Sequence, residues 1–200
     1  MRAALTPEQV VDAAVAVVER DGADQLSMRK LAAELGVSAN TIYWHVGGRE
    51  QVLDAVIARV REGYAKVRVQ GATPRERVCW VARRIWRDSL DNHQVARLAH
   101  ARGRTASMNL PLQLALAREL SAAGLTGRDA AEAMRGILYA IAGLLLVAFR
   151  PVDEVRDDPW AEVADDAVDP GMLAALARPA DLDALFERTL AALVGAWVPA

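Results

Sequence analysis

The stretch LSMRKLAAELGVSANTIYWHV, residues 26–46, decides the fold. Ser27 is a good N-cap, Leu31 and Leu35 stand four apart on one helical face, and Gly36 stops the helix. Ser38 caps a second short helix, which ends before Gly47-Gly48. Two short helices joined by about three residues of turn follow the helix-turn-helix plan. Leu31, Leu35, Val37, Ile42 and Val46 supply its inward contacts. A helix turns by ~100° per residue, so once Ile42 and Val46 face inward, Tyr43, Trp44 and His45 must face outward or sideways. Three adjacent rings on an outer surface point to a large partner approached from one side.

Working outward, Thr6-Pro7-Glu8-Gln9 is a capping box with proline in the first turn. Val10, Ala14, Val17 and Val18 follow as one apolar stripe, and Asp21-Gly22 ends that helix. A fourth helix runs from Arg49 to Lys66, with Val52, Val56, Ile57 and Val60 on one face. Val67 to Pro74 is a connector. Further helices are predicted over Arg75–Asn92, His93–Ala101, Leu110–Ala123, Arg128–Phe149 and Asp181–Trp197, with a shorter one over Met172–Ala177. No stretch alternates with the period of a strand. The expected fold is all-α, with a helix-turn-helix domain over residues 1–48, a connecting helix over 49–66 and a larger helical ligand-binding and dimerisation domain over 67–200.

Hydrophobic residues make up 53% of the 200, enough for a sizeable core. Net charge is −2, yet Asp153 to Asp183 holds ten acids against Arg156 and Arg178, which leaves +6 on the remainder. A local basic face is therefore allowed. Pro151 to Pro170 is predicted as an acidic loop. Cys79, the single cysteine, permits no intrachain disulfide, and its apolar setting marks it as a small core residue. The start of the chain lacks a signal pattern. The longest apolar run, Ile137 to Phe149, falls short of the ~20 residues of a membrane span. A soluble cytoplasmic protein with no membrane partner is expected.

The chemistry of the second helix suits duplex DNA. Its first turn holds Ser38, Asn40 and Thr41. Asparagine pairs bidentately with adenine, and threonine donates, accepts or touches a thymine methyl. Tyr43 and His45 offer hydrogen bonds to phosphates. Arg29 on the preceding helix reaches a guanine edge or a phosphate. Arg49, opening the fourth helix after two glycines, is expected to grip a phosphate together with that helix's free N–H groups. Against this stand blander roles: Trp44 as a core anchor, and Arg29 with Lys30 as a solvated face. His45 has no neighbouring ligand at metal spacing.

The run LTPEQVVDAAVAVVERDG, followed by LSMRKLAAELGVSANTIYWHVGGREQVLDAV, resembles the N-terminal domain of the tetracycline repressor (TetR) family over about residues 5 to 58. The resemblance implies a helical homodimer that binds a palindromic operator and is released by a small molecule in its C-terminal domain. By motif position, the DNA contacts it implies are Arg29, Ser38, Asn40, Thr41, Tyr43, Trp44, His45 and Arg49. Arg49 stands where the family usually has lysine. The C-terminal half is similar to the tetracycline-binding subclass only in the order of its parts. His100 matches a position that binds drug-bound magnesium there, but Leu116 stands where a polar contact is expected. The effector is left open, and no metal or cofactor is assigned.

Helices 128–149 and 181–197 are apolar enough to form a four-helix interface between two copies, or alternatively an intrachain core. Trp80, Trp86, His100, Met108, Leu112, Met134 and Tyr139 are the candidate lining of a pocket for a small hydrophobic or aromatic effector, although simple core packing explains the aromatics equally well. An enzyme is not expected: three histidines, no activated nucleophile and no phosphate loop provide no catalytic constellation. A ligand-independent DNA-binding protein and an activator of the same fold stay open as alternatives.

Overall fold

The computed structural model describes residues 5–150, 163 and 167–198. Among the described residues there are ten α-helices: α1 (Pro7–Asp21), α2 (Met28–Leu35), α3 (Ala39–Val46), α4 (Arg49–Ala65), α5 (Pro74–Asp91), α6 (His93–Ala101), α7 (Thr105–Ala122), α8 (Gly127–Ala148), α9 (Pro170–Leu176) and α10 (Leu182–Trp197). No strand occurs among the described residues. Most of the predicted acidic loop, 151–162 and 164–166, lies outside the described residues.

The caps act as the residue types dictate. Thr6 Oγ1 accepts from the Gln9 amide at 3.3 Å, and Gln9 Oε1 accepts from the Thr6 amide at 3.0 Å. Thr73 and Glu76 repeat this box at the start of α5. All four predicted stripe residues of α1 are buried. They pack with Leu31 and Ile42, both fully buried, so α1, α2 and α3 share one small core. Gly36 closes α2 at φ 65°, a left-handed conformation that costs a side-chain-bearing residue roughly 1–2 kcal/mol. A short 3-10 turn, Ala23–Gln25, not anticipated from sequence, links α1 to α2.

α7 also begins earlier than predicted. The expected start lies at Leu110, whereas the helix opens at Thr105 and carries Pro111 in its interior. The fixed φ of proline suits a helix, and the lost hydrogen bond is offset by burying Met108 in the turn ahead of it. In the C-terminal half, α5 packs on α7 and α10 packs on α8. Trp86 joins α5 to α10: its Nε1 donates to Asp183 at 2.7 Å, and its ring stacks on Phe186 at 5.0 Å. Arg83 adds a bidentate pair with Glu187 and holds that carboxyl below its usual range.

The two halves meet at both ends of α6. Glu19 of α1 accepts from the amides of Gln94 and Val95, at 3.3 and 2.9 Å, so it caps the first turn of α6. At the other end Arg102 binds Asp54 at 2.8 Å and also Glu50, both on α4. Replacing Gly36 with valine is expected to destabilise the fold by about 1–2 kcal/mol in urea unfolding, through strain at the α2–α3 turn.

Candidate DNA-binding surface and effector cavity

The recognition surface rests on one buried residue. Ile42 is 0% exposed, whereas its neighbours Tyr43 and Trp44 are 51% and 85% exposed. Trp44 is therefore no core anchor. Its ring meets His45 edge-on at 5.3 Å, which stiffens the pair without covering it. Asn40 is also exposed.

The hydroxyls of Ser38 and Thr41 are partly engaged with the helix itself. Ser38 Oγ accepts from the Thr41 amide at 3.2 Å and lies 2.9 Å from Thr41 Oγ1. Ser38 thus acts as the cap that orients α3, which leaves Asn40, Tyr43 and Trp44 as the side chains most free to touch a partner. On α2, Lys30 is held by Asp21 at 3.0 Å, and Arg20 of α1 binds both Asp21 and Glu34. Arg29 is exposed and has no carboxylate partner among the described residues.

Arg49 departs from expectation. Its Nε donates to the Leu26 carbonyl at 2.9 Å and its Nη2 to the Ala23 carbonyl at 2.8 Å, with Glu50 on Nη1. The guanidinium clasps the 3-10 turn to the start of α4 rather than standing free for a phosphate. Arginine supplies donors to two carbonyls ahead of α2 with one planar fork, and the Ala23 carbonyl also accepts from the Leu26 amide. The start of α4 still has no side-chain cap, because Gly48 occupies that position.

The seven candidate pocket residues do not converge. Trp86, Met108 and Leu112 are core, each 2% exposed or less, and of the seven only Leu112 also lines the larger cavity between α4 and α7. Met134 is half-buried, His100 faces solvent on α6, and Tyr139 is 70% exposed. Trp80 lines a 340 Å³ groove with Arg83, Arg84, Arg87, Asp88 and Asp91. Burial there raises the Asp88 carboxyl above its usual range, against the opposing pull of Arg84. Cys79 is half-buried and burial pushes its thiol up, as its apolar setting implied.

A larger cavity of 490 Å³ lies elsewhere, between the end of α4, the connector and the face of α7. Tyr64, Val69, Leu110, Leu112 and Leu114 form much of its wall, with Arg61, Arg118 and Glu119 at its charged positions. The spacing Leu110, Leu114, Arg118 recurs every fourth residue and could have identified this face from sequence. Tyr64 is 5% exposed, and its hydroxyl is buried without a hydrogen-bond partner. Burial drives its ionisation far above the usual tyrosine range.

Two substitutions test these assignments by thermal and urea unfolding. Arg49→Ala is expected to destabilise by about 1–3 kcal/mol, because the Leu26 carbonyl loses its donor and the Ala23 carbonyl loses one of two. Tyr64→Phe is expected to leave stability equal or higher, since it removes a buried hydroxyl that costs roughly 1–3 kcal/mol when unpaired.

Residues 10–56 match the family model for bacterial regulatory proteins of the tetR family. An HTH-type transcriptional regulator of Saccharopolyspora erythraea is 38% identical over 101 residues, covering 49% of this chain and 42% of that protein. The match thus spans less than half the length of that relative. The tetracycline repressor protein class A from transposon 1721 of Escherichia coli is 29% identical over 95% of this chain and 89% of its own. Apo ActR from Streptomyces coelicolor superposes with a TM-score of 0.72 at 24% identity, over 98% of this chain and 96% of that one. The same protein in complex with (S)-DNPA gives 0.66 at 25% identity, over 98% of each chain. These proteins are regulators and not enzymes. An exposed, capped α3 on a three-helix core makes residues 10–56 a regulatory domain of the tetR family, and the chain as a whole shares the fold of the solved structures it superposes on.

Proposed function

We propose that the protein is a ligand-responsive repressor that binds a palindromic operator as a homodimer. The observation that carries this reading is the sealed Ile42 flanked by exposed Asn40, Tyr43 and Trp44, beside the unpaired Arg29. In this reading residues 1–48 bind DNA, 49–66 connect, and 67–200 bind the effector and dimerise. Asn40 and Thr41 meet base edges; Tyr43, Trp44, His45 and Arg29 bear on the backbone, and Ser38 orients the helix. Arg49 acts indirectly, by holding the turn ahead of α2.

A second copy is the partner that best fits α8 and α10. These helices pack on each other, yet Tyr139, Leu146, Val147 and Leu185 remain exposed on them. By length and composition α8 could also cross a membrane. Arg128, Asp129, Glu132 and Arg135 crowd its first half, however, and the apolar remainder is shorter than the ~20 residues a bilayer requires. Pairing α8 and α10 with their copies would bury this face in a four-helix interface. A cytoplasmic location accords with a DNA partner.

The effector enters the cavity between α4 and α7, whose 490 Å³ falls in the ~300–1,000 Å³ range of small-molecule sites. Binding of a small molecule by ActR and the repressor role of the tetracycline relative support this part. The effector acts by favouring an arrangement in which the recognition helices no longer match successive major grooves, ~34–36 Å apart. α4 is the lever, because it reaches from the α3 turn to the cavity.

Selection of bound DNA from random duplexes is expected to enrich a palindrome, and recovery of no consensus would reject the reading. Asn40→Ala and Tyr43→Ala are expected to weaken binding to that DNA about tenfold each in gel shifts, with unfolding curves unchanged. Leu146→Asp is expected to give a monomer by analytical ultracentrifugation and to lose operator binding. A dimer retained in that variant would count against the α8 interface.

A further inference from the structure

We propose that the α4–α7 cavity selects an organic anion: an apolar ring or chain system bearing one acidic group, held by Arg61 and Arg118. This inference rests on that cavity being the effector site. Its wall is mostly apolar, and Leu110 and Leu114 keep 48% and 47% of their surface exposed there. Three charged residues line it, and their pairing is uneven. Glu119 is already held by Arg77 Nε at 2.6 Å, so its charge is spent outside the ligand. Arg61 and Arg118 have no carboxylate partner among the described residues.

That pattern contrasts with the cations nearby. Arg59, two residues before Arg61, binds Asp12 at 2.6 Å and lies 3.6 Å from Glu62. Arg68, in the connector between the lining residues Val67 and Val69, is exposed and likewise unpaired, which adds positive charge to that segment. Arg61 projects from α4 and Arg118 from α7, so two separate helices bring guanidinium groups to one apolar concavity. A neutral hydrophobe would leave both cations unused, and a cation would be repelled. An anion would gain charge-assisted hydrogen bonds from arginine forks whose geometry matches a carboxylate or sulfonate. Such a ligand would also bridge α4 to α7, the contact through which the cavity could bias α4.

Two dyes with the same ring skeleton separate the charge from the hydrophobic part: 8-anilinonaphthalene-1-sulfonate, and its uncharged counterpart N-phenyl-1-naphthylamine. Fluorescence titration of the unaltered protein is expected to show tighter binding of the sulfonate, weakening as salt rises. Arg61→Ala with Arg118→Ala is expected to lower sulfonate affinity about tenfold and leave the neutral dye unchanged. Leu114→Trp, which fills the cavity, is expected to displace both dyes. Circular dichroism and melting curves establish that each variant is folded.

Equal binding of the two dyes, with no effect of the double substitution but displacement by Leu114→Trp, would overturn the anion assignment and leave the cavity as the site. Dye binding unaffected by Leu114→Trp, or no binding of either dye to the unaltered protein, would overturn the cavity itself as the effector site.

Discussion

Ile42 is wholly buried in the middle of an eight-residue helix, and the orientation of the whole recognition surface follows from that burial. Successive side chains are rotated by ~100°, so with Ile42 sealed against α1 and α2 the next two residues have nowhere to go but outward. Tyr43 and Trp44 would otherwise be among the first residues to enter a core. Their exposure opposes the hydrophobic effect locally and is tolerated because the surrounding packing and caps hold α3 in one orientation. Ser38 sets where the helix starts, and Gly36 sets its angle to α2. Arg49 then pins the turn before α2 to the beginning of α4.

α4 makes this local arrangement consequential for the rest of the molecule. Its buried residues, Val52, Leu53, Val56 and Ile57, belong to the continuous core, while Arg61, Tyr64 and Ala65 face the cavity at its far end. Seventeen helical residues span ~25 Å, which is the distance over which an event at one end must be felt at the other. The contacts along this path are unlike one another. Apolar packing and the Arg59–Asp12 pair join α1 to α4, and charged groups tie α6 to both: Glu19 at its first turn, and Arg102 to Asp54 and Glu50 at its last. The partners of Arg102 on α4 are exposed, and pairs of that kind contribute little net stability. A tetR-family domain over residues 10–56 fits a chain in which a three-helix reader is joined to a second helical unit through α4.

The cavity shows how far side-chain identity can mislead. Trp86 and Met108 looked like pocket walls because large, adaptable side chains often line pockets. In the structure they fill the space between helices instead, Trp86 by stacking on Phe186 and bonding Asp183. Tyr139 faces outward from α8 with Leu146 and Val147, where it belongs to the exposed apolar face and not to a ligand site. The actual concavity is lined by less conspicuous residues, including Val67, Val69 and Ala115. Leu110, Leu114 and Arg118 carried a visible period, but which neighbour that stripe would face depended on how α4 and α7 cross.

The sequence by itself determined the helices, their caps and the outward turn of the Tyr43–His45 cluster. Those features depend on neighbours within one or two helical turns: Thr6 with Gln9, Ser38 with Thr41, and the four-residue spacing of the apolar stripes. Only the tertiary structure decided that Arg49 would bond backward to Ala23 and Leu26, that α7 would continue through Pro111, and that space would open against α4 rather than around Trp86. Each of these depends on groups distant in the chain competing for the same donor, acceptor or volume. Local rules cannot rank such competitors, because the outcome depends on packing that exists only once the helices have docked.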